Sequence, residues 1–203
     1  MLTFQVGTST ELDRGVETEL ATYRHRVFVE NLGWQLPNAE PGLERDQFDG
    51  PDTLYVVAKD ALGEICGCAR LLSTEQAYLL GSVFPGLLDG QPLPSSAEIW
   101  ELSRYTTQIL NGKAASQAEL RHRFSALFKA VVEAALARGA KRLITFSYVG
   151  IERYVRSFGI HAHRAGSTQM VDGKPVLAFW VELDEQTCKA LGIVSAQAPA
   201  LTH

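Results

Sequence analysis

Residues 118–148 read AELRHRFSALFKAVVEAALARGAKRLITFSY, and their patterning decides the fold. Leu120, Phe124, Leu127, Phe128, Val131, Val132 and Ala135 recur at three- and four-residue spacing. That periodicity predicts an amphipathic helix over 118–138, closed by Gly139. Arg142–Tyr148 then reads as a strand, rich in apolar and β-branched residues. A helix with one apolar face that passes directly into a strand is a helix laid on a sheet.

Working outward, strands are predicted at 2–6, 53–59, 64–72 and 98–106, with a turn at 60–63 joining the middle pair. A helix over 11–29 carries Leu12, Val16, Leu20, Tyr23 and Val27 on one side. Residues 31–52, punctuated by Gly33, Pro37, Pro41, Gly42, Gly50 and Pro51, read as a long loop, a length usual in functional segments. Residues 78–88 read as a short strand and a helical turn, and 151–158 and 184–191 as helices. Two strands flank an Asp172–Gly173 hairpin turn, and 193–203 reads as a frayed tail. The expected fold class is α/β (α+β), a mixed, mostly antiparallel sheet flanked by helices. With no repeat or linker, 1–203 reads as a single domain.

Composition narrows function. The chain has 203 residues, 46% of them hydrophobic and 21% charged, which excludes disordered and coiled-coil classes. No apolar run reaches the ~18 residues of a membrane span, and the N-terminus lacks a secretory pattern, so a cytoplasmic protein away from membranes is expected. The three cysteines, Cys66, Cys68 and Cys188, read as reduced thiols. The net charge of −4 hides an asymmetry: 1–101 carries −10 and 102–203 carries +6. Arg121, Arg123, Arg153 and Arg156 are among the excess bases. They read either as solvated helix faces or as a docking patch for an acidic partner. Nucleic acid fits poorly, because the bases are not interleaved with aromatics.

Three clusters can carry chemistry. Arg24, Phe28 and Asn31 share a helical face near Trp34, and Phe28 with Trp34 can cage a cationic or planar ligand or simply pack a helix end. In the loop Glu44-Arg-Asp46-Gln-Phe-Asp49, the aspartates can hold an ammonium or a ribose, or serve as caps and solubilising groups. In Trp100-Glu101-Leu-Ser103-Arg104, two long charged side chains sit mid-strand. Alternation puts Glu101 and Arg104 on opposite faces, so one shared pocket requires a bulge between them. A buried glutamate there can act as a general base. Cys66-x-Cys68 and His161-x-His163 flank apolar strand positions rather than tight turns, so no metal site is expected.

Taken in order, Arg24, Phe28, Trp34, Asp46, Asp49, Arg70, Phe84, Glu101 and Arg104 resemble the pattern of the acyl-homoserine-lactone synthases, the autoinducer synthases of quorum sensing. The likeness runs from about residue 2 to 193. It implies a fold similar to the GCN5-related N-acetyltransferases. It also implies two substrates, S-adenosylmethionine and an acyl thioester usually borne on acyl carrier protein, with no separate cofactor. The methionine amine attacks the acyl carbonyl, and the carboxylate then displaces methylthioadenosine to close the lactone. On that resemblance Glu101, Arg104 and Asp46 are catalytic. Arg24, Phe28, Trp34, Asp49, Arg70, Phe84, Ser103, Ser147 and Val149 bind substrate, with Ile151 as further acyl lining. Arg70 is expected to order the carboxylates, and the basic second half to meet the carrier; a monomer is expected.

Two rivals stand beside this. An acetyl-CoA-dependent N-acetyltransferase would need a pyrophosphate turn at a helix N-terminus, for which Gln108–Ala114 is one residue too long. A non-catalytic small-molecule sensor would keep the pocket without needing Glu101.

Overall fold

The computed structural model describes residues 1–35, 40–110 and 115–194. Its centre is an eight-stranded sheet: β1 (Thr3–Gly7), β2 (Leu54–Lys59), β3 (Ile65–Ser73), β4 (Ile99–Thr106), β5 (Arg142–Tyr148), β6 (Ala162–Arg164), β7 (Gln169–Val171) and β8 (Lys174–Glu182). The order across it is β1-β2-β3-β4-β5-β8-β6, with β7 also on β8. β2 and β3 are buried almost throughout, as their near-continuous apolar runs demand of strands covered on both faces. The expected mixed sheet is present: every pairing is antiparallel except β4 with β5.

The parallel pair is short. Ile99, Trp100 and Glu101 face Arg142, Leu143 and Ile144, and no pairing follows. β5 nevertheless stays on β8 as far as Tyr148. The sheet therefore splits just past Glu101.

Helices cover both faces. α3 (Gln117–Ala137) buries Leu127, Phe128, Val131, Val132 and Ala135 in the larger core with Leu54, Val56, Leu71, Trp100 and Leu143. It begins in a capping box, the Ser116 hydroxyl accepting from the Glu119 N–H while the Glu119 carboxylate accepts from the Ser116 N–H. α4 (Ile151–Arg156) and α5 (Glu185–Ala190) follow β5 and β8. On the opposite face, α1 (Val16–Arg24) lies over Tyr55, Val57 and Cys68.

Two segments differ from their sequence patterns. The helix predicted over 11–29 starts only at Val16, after Gly15 at φ 91°, and beyond Arg24 it winds as a π-helix from His25 to Asn31. That winding brings residues five apart together, and His25 Nδ1 lies 3.2 Å from Glu30 Oε1. Residues 78–88 contain no strand but α2 (Leu79–Val83) and a 3-10 turn over Pro85–Leu88. A buried Glu101 carboxylate takes the Leu80 N–H, and Pro85 has none to give a ladder. Most of the predicted tail, 195–203, and Asn111–Ala114 of the weighed pyrophosphate turn lie outside the described residues.

Candidate functional site

Three arginines and three carboxylates meet beside the split. Arg24, the last residue of α1, bonds through Nε to Glu44, and its Nη1 and Nη2 lie 2.7 and 3.0 Å from the Asp49 oxygens. Arg70, from the middle of β3, grips Asp46 at 2.6 and 3.1 Å and reaches Asp49 at 3.2 Å. Its Nε donates to the Ser103 hydroxyl at 3.1 Å. Arg104 donates to Glu44 through Nε and Nη2, and through Nη2 to Asp46 at 2.7 Å. Tyr55 donates to Asp49 at 2.9 Å.

All six charges are buried or nearly so, with Arg70 and Glu44 at 0% exposure. Burial alone would neutralise Glu44 and Asp49. The charges and hydrogen bonds of Arg24, with Arg104 on Glu44 and Arg70 on Asp49, overcome it and hold both carboxyls below their ordinary values. The loop also braces itself: the Asp46 N–H donates to Asp49, and the Phe48 N–H to Asp46. A polar loop is thus fixed by charge-assisted, partly bidentate hydrogen bonds, which are shorter and stronger than neutral ones.

The bulge that the sequence requires is present. Arg70 faces Ser103 and Cys68 faces Thr106, so Arg104 and Tyr105 together oppose Ala69. Arg104 sits there in the left-handed region at φ 52°. The extra residue turns Arg104 to the face already holding Ser103 and Glu101. Cys68 lies beneath, its thiol donating weakly to the Arg104 carbonyl at 3.4 Å and pushed up to about 12 by burial. It is a protonated packing group.

Glu101 is fully buried. Its Oε2 accepts the Leu80 N–H at 2.6 Å, and its Oε1 has no partner among the described residues. Burial pushes its carboxyl up to about 7, against the pull of the Leu80 N–H, the nearby charges of Arg70 and Arg104 and the neighbouring Ser103 hydroxyl. Such a group changes protonation near neutrality.

Phe28, delivered by the π-helix, stacks on Trp34 with ring centroids 4.7 Å apart, and the Trp34 N–H bonds the Phe28 carbonyl. The rings thus pack on each other instead of flanking a gap. The cation over them is Arg104, 5.1 Å from the Trp34 centroid and 5.8 Å from that of Phe28. Arg24 and the two aspartates are likewise engaged with protein charges.

The remaining candidates spread outward. Phe84 packs on Phe146 at 4.9 Å in the smaller core, beside Leu80. Ser147 and the exposed Val149 and Ile151 lie on the far lip of the split. The Arg121 guanidinium lies over Phe158, 4.2 Å from its centroid, while the Arg123 side chain is half-buried. Arg153 and Arg156 join Arg164, His161 and His163 along an open groove of about 760 Å³ at the β6 edge, away from the ion-pair network. Among the described residues no cluster of histidine, cysteine or acidic side chains is arranged to hold a metal, and no helix is long and apolar enough to cross a membrane.

Sequence patterning did not single out Glu44, Tyr55 or the Leu80 amide. Glu44 alone carried a signal, standing two positions before Asp46 in the same loop.

Comparison with known proteins gives one answer. The family model described as autoinducer synthase matches residues 9–191. An acyl-homoserine-lactone synthase of Ralstonia solanacearum is 47% identical over 188 residues, covering 92% of each chain. The crystal structure of TofI in a ternary complex with an inhibitor and MTA is 44% identical, with a TM-score of 0.82 over 95% of this chain and 97% of that one. The AHL synthase LasI gives 28% identity and a TM-score of 0.84 over 94% of each chain. A putative N-acetyltransferase from Lactobacillus plantarum, at 18% identity and a TM-score of 0.59, covering 90% of this chain and 99% of that one, shares the fold alone.

Proposed function

The chain belongs to the autoinducer synthase family and is an acyltransferase, and from that premise we propose that it builds an N-acyl-L-homoserine lactone from S-adenosylmethionine and an acyl thioester borne on acyl carrier protein. The observation that carries the reading is Glu101: buried beside the split, one oxygen anchored on Leu80 and the other without a hydrogen-bond partner among the described residues.

An amine nucleophile must first lose a proton. The unclaimed Glu101 oxygen, directly or through one water, takes it from the methionine ammonium. The amine nitrogen bonds to the thioester carbonyl carbon, and the thiol leaves with a proton. Backbone N–H groups freed where β4 leaves β5 and bulges at Arg104 stabilise the intermediate oxyanion. The methionine carboxylate then attacks its own γ-carbon, and methylthioadenosine departs with the electron pair of the broken C–S bond.

The other residues divide by reach. Phe28 and Trp34 take the adenosyl and sulfonium end, where Arg104 now covers both rings. Arg104 and Asp46, at the edge of the network, meet the carboxylate and amine, and Asp49 the hydroxyls. Arg24 and Arg70 position these carboxylates, Ser103 fixes Arg70, and Phe84 shelters Glu101. Ser147 and Val149 line the acyl side. The acidic carrier docks on the basic second half, where Arg153 and Arg156 offer charge and Arg121 and Arg123 flank it.

The test is direct. Purified protein given S-adenosylmethionine and acyl carrier protein loaded with a fatty chain should release methylthioadenosine and a lactone identifiable by mass spectrometry. The same chain on coenzyme A should turn over more slowly. Equal or better use of coenzyme A removes the carrier assignment, and absence of lactone from either donor removes the synthase reading.

A further inference from the structure

We propose that Phe48 is the wall that keeps water from reaching Glu101 from behind, a positioning residue for the base; the assignment rests on the reading above. A surface cleft of about 170 Å³ runs between loop residues 47–53 and residues 72–77. Its rim is exposed and polar, and there the Gln76 amide donates to Asp52 at 3.4 Å. Its floor is apolar and buried, made by Phe48 and Leu72 at 6% and 5% exposure. A cleft of this size and polarity has room for several waters.

Glu101 stands on the other side of that floor. Leu72 and Glu101 are paired directly across β3 and β4, so their side chains lie side by side on one face of the sheet. Phe48 joins Leu72, Tyr78, Leu80 and Ile144 in the smaller core, and Leu80 supplies the N–H that holds the Glu101 carboxylate. The loop is fixed here by its own backbone. The Phe48 N–H donates to Asp46 at 2.9 Å, and the Thr53 hydroxyl donates to the Phe48 carbonyl at 2.6 Å. Truncating the ring therefore leaves these anchors in place and opens the floor.

Exclusion of water is what sets the protonation of Glu101, because the other groups around it pull the opposite way. Arg70 faces it from β3, Arg104 and the Ser103 hydroxyl from β4, and the Leu80 N–H from α2; all four favour the charged form. Tyr78, ahead of α2, is a neutral phenol pushed up to about 12 by burial and by Glu101 itself. β5 presents Ile144. In the loop that carries Phe48, the carboxylates of Glu44, Asp46 and Asp49 are already taken up by arginines. Burial alone holds the carboxyl near 7 against these pulls, and Phe48 maintains the burial.

The experiment follows the carboxyl directly. Protein carrying carbon-13 in its glutamate carboxyls is titrated by NMR as wild type, Phe48→Ala, Phe48→Leu and Leu87→Ala, with the Glu101 signal assigned by its loss in Glu101→Gln. Phe48→Ala should lower the midpoint by about one pH unit, a fraction of what full burial can impose, and leucine by less. Leu87→Ala cuts a hole in the same core away from the cleft and should leave the midpoint in place. In lactone synthesis, the ratio of the rate at pH 6 to that at pH 8 should rise about fivefold in Phe48→Ala, since more of the base is then free at the lower pH. If Phe48→Ala does not fold, the leucine variant decides. An unmoved midpoint in folded Phe48 variants overturns the proposal. So does an equal fall in Leu87→Ala, which would trace to loosened packing. Absence of lactone from wild type overturns the underlying reading, and this role with it, whatever the titration shows.

Discussion

Arg104 places two of its nitrogens, Nε and Nη2, on a single oxygen of Glu44, at 3.1 and 2.8 Å. The other oxygen of that carboxylate holds Arg24. One buried anion thus joins the end of α1 to the bulge of β4, and both arginines depend on it for neutrality. Glu44→Ala leaves two buried guanidinium groups short of a partner and should cost about 3–5 kcal/mol in urea unfolding. Glu44→Gln, which keeps the acceptor oxygen, should cost less. A loss below about 1 kcal/mol for alanine would show that the network does not brace the fold.

Glu101 works as a base only when deprotonated, and its carboxyl is pushed up to about 7 by burial. The rate at low thioester concentration should therefore climb with pH and level off above about 7. Glu101→Gln should lower turnover by roughly 10²–10⁴-fold while S-adenosylmethionine still binds in calorimetry. Persistence of the same acid limb in the residual activity of that variant would assign it to another group.

Stability should respond to pH with two opposite signs. Glu44 and Asp49 are held below their ordinary values of 4.5 and 3.8, so their contribution is present above those values and is lost as pH falls through the lower native ones. Glu101 is raised, so its contribution is complete below 4.5 and disappears as pH rises through about 7. Melting temperatures measured from pH 5 to pH 8 should accordingly move in favour of Glu101→Gln relative to wild type as pH rises. Parallel curves would contradict this.

Gly166 is a packing requirement. A Cβ there would lie 2.1 Å from the Leu87 carbonyl oxygen, a backbone atom with nowhere to go. Gly166→Ala should destabilise by about 1–3 kcal/mol in thermal unfolding. Gly50→Ala, where a Cβ meets nothing within 4 Å, is the matched control and should be nearly silent.

The sequence disclosed most where chemistry and geometry conflict. Glu101 and Arg104, three apart on a strand, could share a face only if the strand bulged, and Arg104 duly sits at φ 52°. The α3 pattern was equally legible, because a long periodic face has one way to be buried. Glu44 was not, since loop carboxylates are ordinarily solvated and only the folded chain brings Arg24 and Arg104 to it. Residues 78–88 misled because α2 begins on a carboxylate from a distant strand, an interaction that no local pattern encodes.

The π-wound stretch from His25 to Asn31 places a further condition on this architecture. Rewinding the same residues as an ordinary α-helix, with its larger turn per residue, would rotate all that follows by on the order of 100°. Trp34 would swing off Phe28 and away from Arg104 without any of the three being altered. The placing of Trp34 therefore rests on the width of that turn as much as on the two rings that meet.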